Sequence, residues 1–270
     1  MPDPREIRLV VFDWAGTTID FGCLAPAGAF VAAFAERGVD VTVSEARGPM
    51  GLHKKDHIRA MLRDPAIAGR WVSATGREWA ETDVADLYQR VTPLQVAAAS
   101  LHSALTPGVV ECVAELRRRD IRVAATTGYF RAAAEACYTA ATTQGYVPDF
   151  TICADEVPAG RPAPWMIFRC MEATGVYPPA AVLKVGDTVV DIEDGRNAGC
   201  WSAGVVDSSN EMGLGEAEFL ALDTRKRENE RARVEARFRA AGSHGAVHRL
   251  NELGGLIDDL HRRLTKGERP

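Results

Sequence analysis

No Cys-x-x-Cys and no paired spacing occurs among the six cysteines, Cys23, Cys112, Cys137, Cys153, Cys170 and Cys200. Several lie in apolar contexts, where a free thiol packs as a small hydrophobe, so the expectation is a reducing cytoplasm rather than a disulfide framework. No apolar run approaches the length of a membrane span, and the opening Met-Pro-Asp-Pro-Arg-Glu is acidic and broken by proline, unlike a signal peptide. An excess of basic charge is also missing. The net charge is −5 with both signs scattered, which favours neither nucleic acid nor an anionic membrane and leaves any attraction for an anionic substrate to local groups. The most crowded charged stretch, 223–240, interleaves acids with its arginines and carries Val234 and Phe238 at i,i+4. That is the pattern of a solvated amphipathic helix rather than of a helix that grips nucleic acid. No internal repeat and no low-complexity linker is present.

What is there is an ordinary globular composition, 46% hydrophobic and 26% charged, in 270 residues, enough for one large core or a core with a smaller insert. The run Ile7, Leu9, Val10, Val11 reads as a buried parallel strand. From about residue 22 to 99 nothing reads as a strand, and helical pattern covers 25–37, 44–62 and 78–99. Beyond it, strands at 121–125, 150–153, 181–185 and a last one at 201–206 alternate with helices at 131–143, 164–174 and 191–198. Such alternation predicts an α/β fold, a doubly wound parallel sheet with helices on both faces. The helical block that interrupts it predicts an inserted cap, so that 1–21 and 100–270 form the core domain and 22–99 the cap domain.

Three strand ends present polar residues in order: Asp13, Thr127 and Asp187. The C-terminal edge of an open α/β sheet is where such folds put their chemistry. Each residue also has a plain structural explanation. A threonine there commonly caps the next helix, and Asp187 and Asp191, in Gly-Asp-Thr-Val-Val-Asp, suit a helix N-terminus. Together they read differently, because carboxylates converging on one edge repel unless a cation neutralises them. Hard oxygen ligands at that spacing suit Mg²⁺. Thr127 and the N–H groups around Gly128 would then hold phosphoryl oxygens. Arg161 lies in Pro-Ala-Gly-Arg-Pro-Ala-Pro-Trp. A lone arginine is usually surface charge, but here glycine before it and proline after it fix the backbone, and its fork fits phosphate. On a helix over 44–62, Met50, Lys54 and His57 share a face and Lys55 points about 100° away. The bland alternative for that stripe is a helix with two exposed lysines.

The order Asp-x-x-Gly-Thr, Thr-Thr-Gly, a basic residue before proline, and Gly-Asp-x-x-x-Asp resembles the haloacid dehalogenase superfamily. Pro-Met-Gly-Leu-His-Lys-Lys-Asp-His at 49–57, with 12–18 and 157–166, resembles the phosphonoacetaldehyde hydrolase family within it. The likeness extends over nearly the whole chain, less sharply at 210–219 and 237–253, and His53 departs from the apolar or small residue expected there. Position by position, the resemblance implies that Asp13 is the nucleophile and Lys54 a Schiff-base lysine. It implies that the Ala15 carbonyl joins Asp13 and Asp187 on Mg²⁺, with Asp191 supporting the metal. Thr127, Gly128 and Arg161 bind the phosphoryl group, and Met50 and His57 line the reacting end. It also implies a small phosphonate as substrate and a homodimer joined through the caps.

One absence fits that implication. Phosphate-transferring members of the superfamily carry Asp-x-Asp, whose second Asp protonates an oxygen leaving group, whereas this chain has Asp13-Trp14-Ala15. Cleaving a P–C bond directly would expel a carbanion; an imine on Lys54 accepts the electrons instead, and no acid is then needed. Two alternatives stand beside it. A phosphomonoester phosphatase or phosphomutase would want Asp at position 15, and a non-catalytic phosphate binder would not need Asp13, Asp187 and Lys54 together.

Overall fold

The computed structural model describes residues 6–270, apart from the side chain of Ser100. The reading of the extreme N-terminus falls on residues 1–5, outside the described residues. In chain order the elements are β1 (Leu9–Phe12), α1 (Leu24–Ala35), α2 (Val43–Arg47), α3 (Lys54–Arg63), α4 (Pro65–Thr75), α5 (Glu81–Leu101), α6 (Val109–Arg118), β2 (Arg122–Thr127), α7 (Arg131–Thr143), β3 (Phe150–Cys153), α8 (Trp165–Thr174), β4 (Val182–Gly186), α9 (Val189–Asn197), β5 (Trp201–Val205), α10 (Glu216–Ala221), α11 (Thr224–Ala240), β6 (Gly245–Val247) and α12 (Leu253–Thr265). The strands form one parallel sheet in the order β3-β2-β1-β4-β5-β6. Among the described residues no helix is long and apolar enough to cross a membrane.

β1 is apolar throughout because it is covered on both faces. Its side chains alternate: Val10 and Phe12 join a core with Val113, Leu116 and Ile257, whereas Leu9 and Val11 pack with Met166, Ile167 and Cys170. Each such fully buried side chain contributes about 1.5–3 kcal/mol. Strand β1 is central, paired with β2 and β4, so the residue after Phe12 emerges in the middle of the C-terminal edge. Helix α11 buries Val234 and Phe238 and exposes most of its charge, as its pattern predicts. Phe238 lies against Gly204 of β5, where a Cβ would stand 2.2 Å from the ring.

The structure departs from the sequence reading in several places. The stretch 44–62 is two helices rather than one: α2 ends at Arg47 and α3 begins at Lys54. Pro49 cannot continue a helix, and Gly51 takes a φ of +93°, open to glycine and strained for other residues. Met50 is therefore on a turn and shares no helix face with Lys54. The last strand is not 201–206, because β6 adds a sixth, too short and too glycine- and alanine-rich to stand out. Helix α4 was also unread, although Asp64 caps it through the N–H groups of Ala66 and Ile67 and Pro65 occupies its first turn.

Candidate active site

Three strand ends and one helix start converge on a single cavity, lined among others by Asp13, Ala15, Met50, Lys54, Thr127, Gly128, Arg161 and Asp187. Asp13 extends β1, its N–H donating to the Val185 carbonyl at 2.9 Å. The turn that follows is tied down by the Trp14 carbonyl, which accepts from the N–H groups of Thr17, Thr18 and Ile19. Gly16 completes the turn at φ +81°, and a Cβ there would lie 2.1 Å from Asp187 Oδ2. Only glycine lets the two strand ends come this close.

Asp187 follows β4, and Thr188 caps α9 in a reciprocal box with Asp191: Thr188 Oγ1 donates to Asp191 Oδ2 at 2.6 Å and accepts from the Asp191 N–H at 3.2 Å. The capping explanation of Asp191 is thus correct, and its other oxygen does something more. Oδ1 of Asp191 accepts from Arg161 Nη1 and from Lys184 Nζ, the latter at 2.9 Å, all fully buried. Arg161 Nη2 donates to Asp13 Oδ1 at 2.7 Å. One guanidinium therefore bridges the predicted nucleophile and Asp191, the bidentate use for which arginine is suited.

Charge accounts for the titration behaviour. Burial pushes the Asp13 carboxyl up from its ordinary value, against the lowering field of Arg161. Asp187 is pushed up further, by burial and then by Asp13 and Asp191. Burial would raise Asp191 too, but Arg161 and Lys184 hold it well below the usual carboxylate range. Each of Asp13, Asp187 and Asp191 offers an oxygen within 4.8 Å of the others, and Asp187 Oδ1 is buried with no hydrogen-bond partner among the described residues. Hard, mutually repelling carboxylate oxygens with one left unsatisfied fit a divalent cation such as Mg²⁺. Both oxygens of Asp191 accept from protein donors, which fixes Arg161 and the α9 terminus.

Lys54 begins α3 and is almost fully buried, with Nζ 5.0 Å from the Tyr129 ring centre and 5.6 Å from that of Phe30. Burial, then the charge of Arg161, brings its pKa down to about 8 against the pull of Asp13 and Asp187. Lys55 is exposed and lies over Tyr88 instead. The separation of the two lysines read from helical spacing is therefore present, although it starts at Lys54. His57 is on the buried side of α3 but does not line the cavity: its ring stacks on Phe30, with centroids 3.8 Å apart, and Nε2 bonds the Ala46 carbonyl at 2.9 Å. Burial and the nearby Lys54 depress its pKa strongly, so it is a neutral support behind the lysine. Met50 reaches the cavity from the turn. Tyr129 and Cys23 also line it, and sequence reasoning passed over both. Tyr129 follows Thr-Thr-Gly directly and could have been found from that; Cys23, at φ +52°, had no local signal.

The cavity is about 20 Å³, room for roughly one water. It is closed by the 50–53 turn pressing on the sheet edge. A Cβ on Gly128 would meet the Leu52 carbonyl at 3.0 Å, one on Gly160 would meet His53 Cβ at 3.0 Å, and one on Gly51 would meet Thr188 Oγ1 at 2.7 Å. Gly51→Ala should therefore cost activity twice over, through a forbidden φ and through a clash that holds the turn off Thr188. The expected result is a fall in kcat/KM of about tenfold or more at nearly unchanged far-ultraviolet circular dichroism, because about 1–3 kcal/mol of strain falls on the turn packed against the sheet edge. Wild-type kinetics in the variant would mean that the turn does not close in this way.

Residues 7–199 match the haloacid dehalogenase-like hydrolase family. The chain is 43% identical to a phosphonoacetaldehyde hydrolase of Syntrophobacter fumaroxidans, over 100% of this chain and 97% of that one. It is 41% identical to a phosphonoacetaldehyde hydrolase of Pseudomonas fluorescens, over 99% and 98%. A crystal structure of a phosphonoacetaldehyde hydrolase-like protein from Oleispira antarctica superposes with a TM-score of 0.96 at 39% identity, covering 98% of this chain and 96% of that one.

Proposed function

The chain belongs to the haloacid dehalogenase-like hydrolases, in their phosphonoacetaldehyde hydrolase family, and from that premise we propose that it hydrolyses phosphonoacetaldehyde to acetaldehyde and phosphate. The observation that carries this reading is a buried lysine of lowered pKa in the same cavity as Asp13, with Ala15 where an acid would serve an oxygen leaving group.

Neutral Lys54 attacks the aldehyde carbon, and loss of water leaves a protonated imine. Asp13 attacks phosphorus from the sheet edge; the P–C bond breaks and its electron pair moves into the iminium, giving an enamine on Lys54 and an aspartyl phosphate on Asp13. Carbon protonation and hydrolysis release acetaldehyde, and water cleaves the acyl phosphate. Arg161, held against Asp13 and Asp191, offsets charge on the phosphoryl oxygens, and the Thr127 hydroxyl with the N–H of Gly128 orients them. Mg²⁺ held by Asp13, the Ala15 carbonyl and Asp187 would add positive charge opposite the same oxygens. Residues 22–99 act as a cap that opens to admit substrate, since the closed cavity is too small to be entered directly, and the homodimer implied by the family would join caps.

The test is coupled detection of acetaldehyde and phosphate from phosphonoacetaldehyde, with and without Mg²⁺. Equimolar, Mg²⁺-dependent release is expected, and release of phosphate from simple esters at a higher rate would overturn the assignment. Ala15→Asp adds the missing acid beside Asp13. It should leave C–P cleavage no faster and bring a slight gain on phosphate esters, assayed in the same preparation; a clear gain on phosphonoacetaldehyde would show that alanine is there for another reason.

A further inference from the structure

The loop after β5 touches the metal-site carboxylate, the hinge and the cap at once. Asn210 is buried, and its N–H donates to Asp187 Oδ2 at 2.8 Å. Its side chain meets Arg47 of α2 in both directions: Arg47 Nη1 donates to Oδ1 at 3.4 Å, and Nδ2 donates to the Arg47 carbonyl at 3.4 Å. The same Arg47 Nη1 donates to the Gly22 carbonyl at 2.7 Å, at the point where the chain leaves the core for the helical block. Gly22 in turn donates its N–H to the Ser208 carbonyl at 2.8 Å, and a Cβ on it would lie 2.2 Å from the Leu214 carbonyl. Ser208 Oγ donates to the Gly16 carbonyl at 2.7 Å, in the very turn against which Asp187 packs.

We propose that Asn210 is a positioning residue that couples closure of the cap, through Arg47, to the orientation of Asp187. Asp187 Oδ1 has no hydrogen-bond partner among the described residues, and the Asn210 N–H on Oδ2 holds the carboxylate. When the cap lifts, Arg47 leaves with α2, and Asn210 loses both side-chain bonds. The 208–214 segment is then free to shift, and Asp187 with it. Closure completes the carboxylate set only once the cap is seated, which ties readiness of Asp13 to exclusion of bulk water. Its catalytic meaning rests on the proposed C–P hydrolysis; the mechanical link does not.

The two side-chain bonds are long, so the coupling is modest, about threefold to tenfold. Asn210→Ala keeps the N–H that holds Asp187 and removes only the side chain, while Arg47→Met keeps the stem. Three measurements decide: hydrogen exchange at residues 21–24 and 43–53 in the protein alone, Mg²⁺ binding by calorimetry without substrate, and kcat against KM. Both variants should exchange faster at the hinge and α2, bind Mg²⁺ about threefold to tenfold more weakly, and raise KM more than they lower kcat. The double variant should be no worse than the more affected single one, because both remove one clasp. Faster exchange with unchanged Mg²⁺ affinity would reduce the contact to a latch and overturn the coupling, as would additive losses in the double variant. If Asn210→Ala does not fold, Arg47→Met gives the same readings. Should the protein prove inactive on phosphonoacetaldehyde while exchange and Mg²⁺ binding behave as described, the proposed function fails and the coupling stands.

Discussion

Replacing Asp13 by Asn is expected to lower turnover about a thousandfold or more and to leave the fold intact. The backbone of Asp13 is held by groups the substitution does not touch: its N–H by the Val185 carbonyl and its carbonyl by Thr18 Oγ1 at 3.1 Å. An amide oxygen can still accept from Arg161 Nη2, so the fork that joins strand end to α9 need not collapse. The chemistry lost is that of a carboxylate able to form an acyl phosphate, since an amide is a very poor nucleophile. Electrostatics makes the stability arm of this prediction sharp. Burial and carboxylate crowding raise the titration points of Asp13 and Asp187, so the ionised cluster is under repulsion unless a cation is bound. Removing one charge relieves that repulsion, and the thermal midpoint without Mg²⁺ should be equal to or above that of the parent. Steady-state acetaldehyde release together with thermal unfolding checks both halves. Appreciable turnover in a folded variant would sink the covalent mechanism, and a midpoint many degrees lower would mean that Asp13 is a structural keystone.

The sheet and its edge were legible because they rest on runs that are apolar on both faces and on polar residues at fixed strand ends. β1, β2, β3, β4 and β5 all lie within a few residues of their readings, and Asp13, Thr127, Arg161 and Asp187 meet where the alternation of strands and helices puts them. Legibility failed where long-range contacts, not local pattern, decide. β6 is a strand because β5 offers it an edge; its three residues carry no period of their own. Met50 and Lys54 share the cavity because Gly51 turns the chain, not because they share a helix. Lys184 is the clearest omission: it occupies the middle of an apolar strand and reads as an exception, yet it is fully buried and bonds Asp191 and Thr126 Oγ1. A cation in a buried strand needs a partner, and that signal was available. Asp194, one turn beyond Asp191, was equally silent; burial raises its carboxyl to about 7.

Lys54→Arg should be inactive although it keeps the charge, and Lys55→Arg nearly normal. With a pKa of about 8, roughly one Lys54 in eleven is neutral at pH 7; at the ordinary value of about 10.4 the fraction would be about one in 2,500. Burial therefore raises the supply of attacking amine by about two hundredfold, and a guanidinium, effectively always protonated, supplies none. The sign of the pH dependence follows. The neutral amine is the form that attacks, so kcat/KM should rise nearly tenfold per unit from pH 6 and level off above about pH 8. His57 adds no second limb there, because its depressed pKa keeps it neutral throughout. Borohydride added with substrate should reduce the imine and inactivate irreversibly, and mass spectrometry of the digested protein should place the adduct on Lys54. Lys54 has its Nζ between Phe30 and Tyr129 inside the cavity, whereas the Lys55 ammonium lies outside over Tyr88. A label on Lys55, or no label in an enzyme that still releases acetaldehyde, would overturn both the placement of the amine and the imine route; a flat pH profile from 6 to 8 would mean that deprotonation of Lys54 does not limit the reaction.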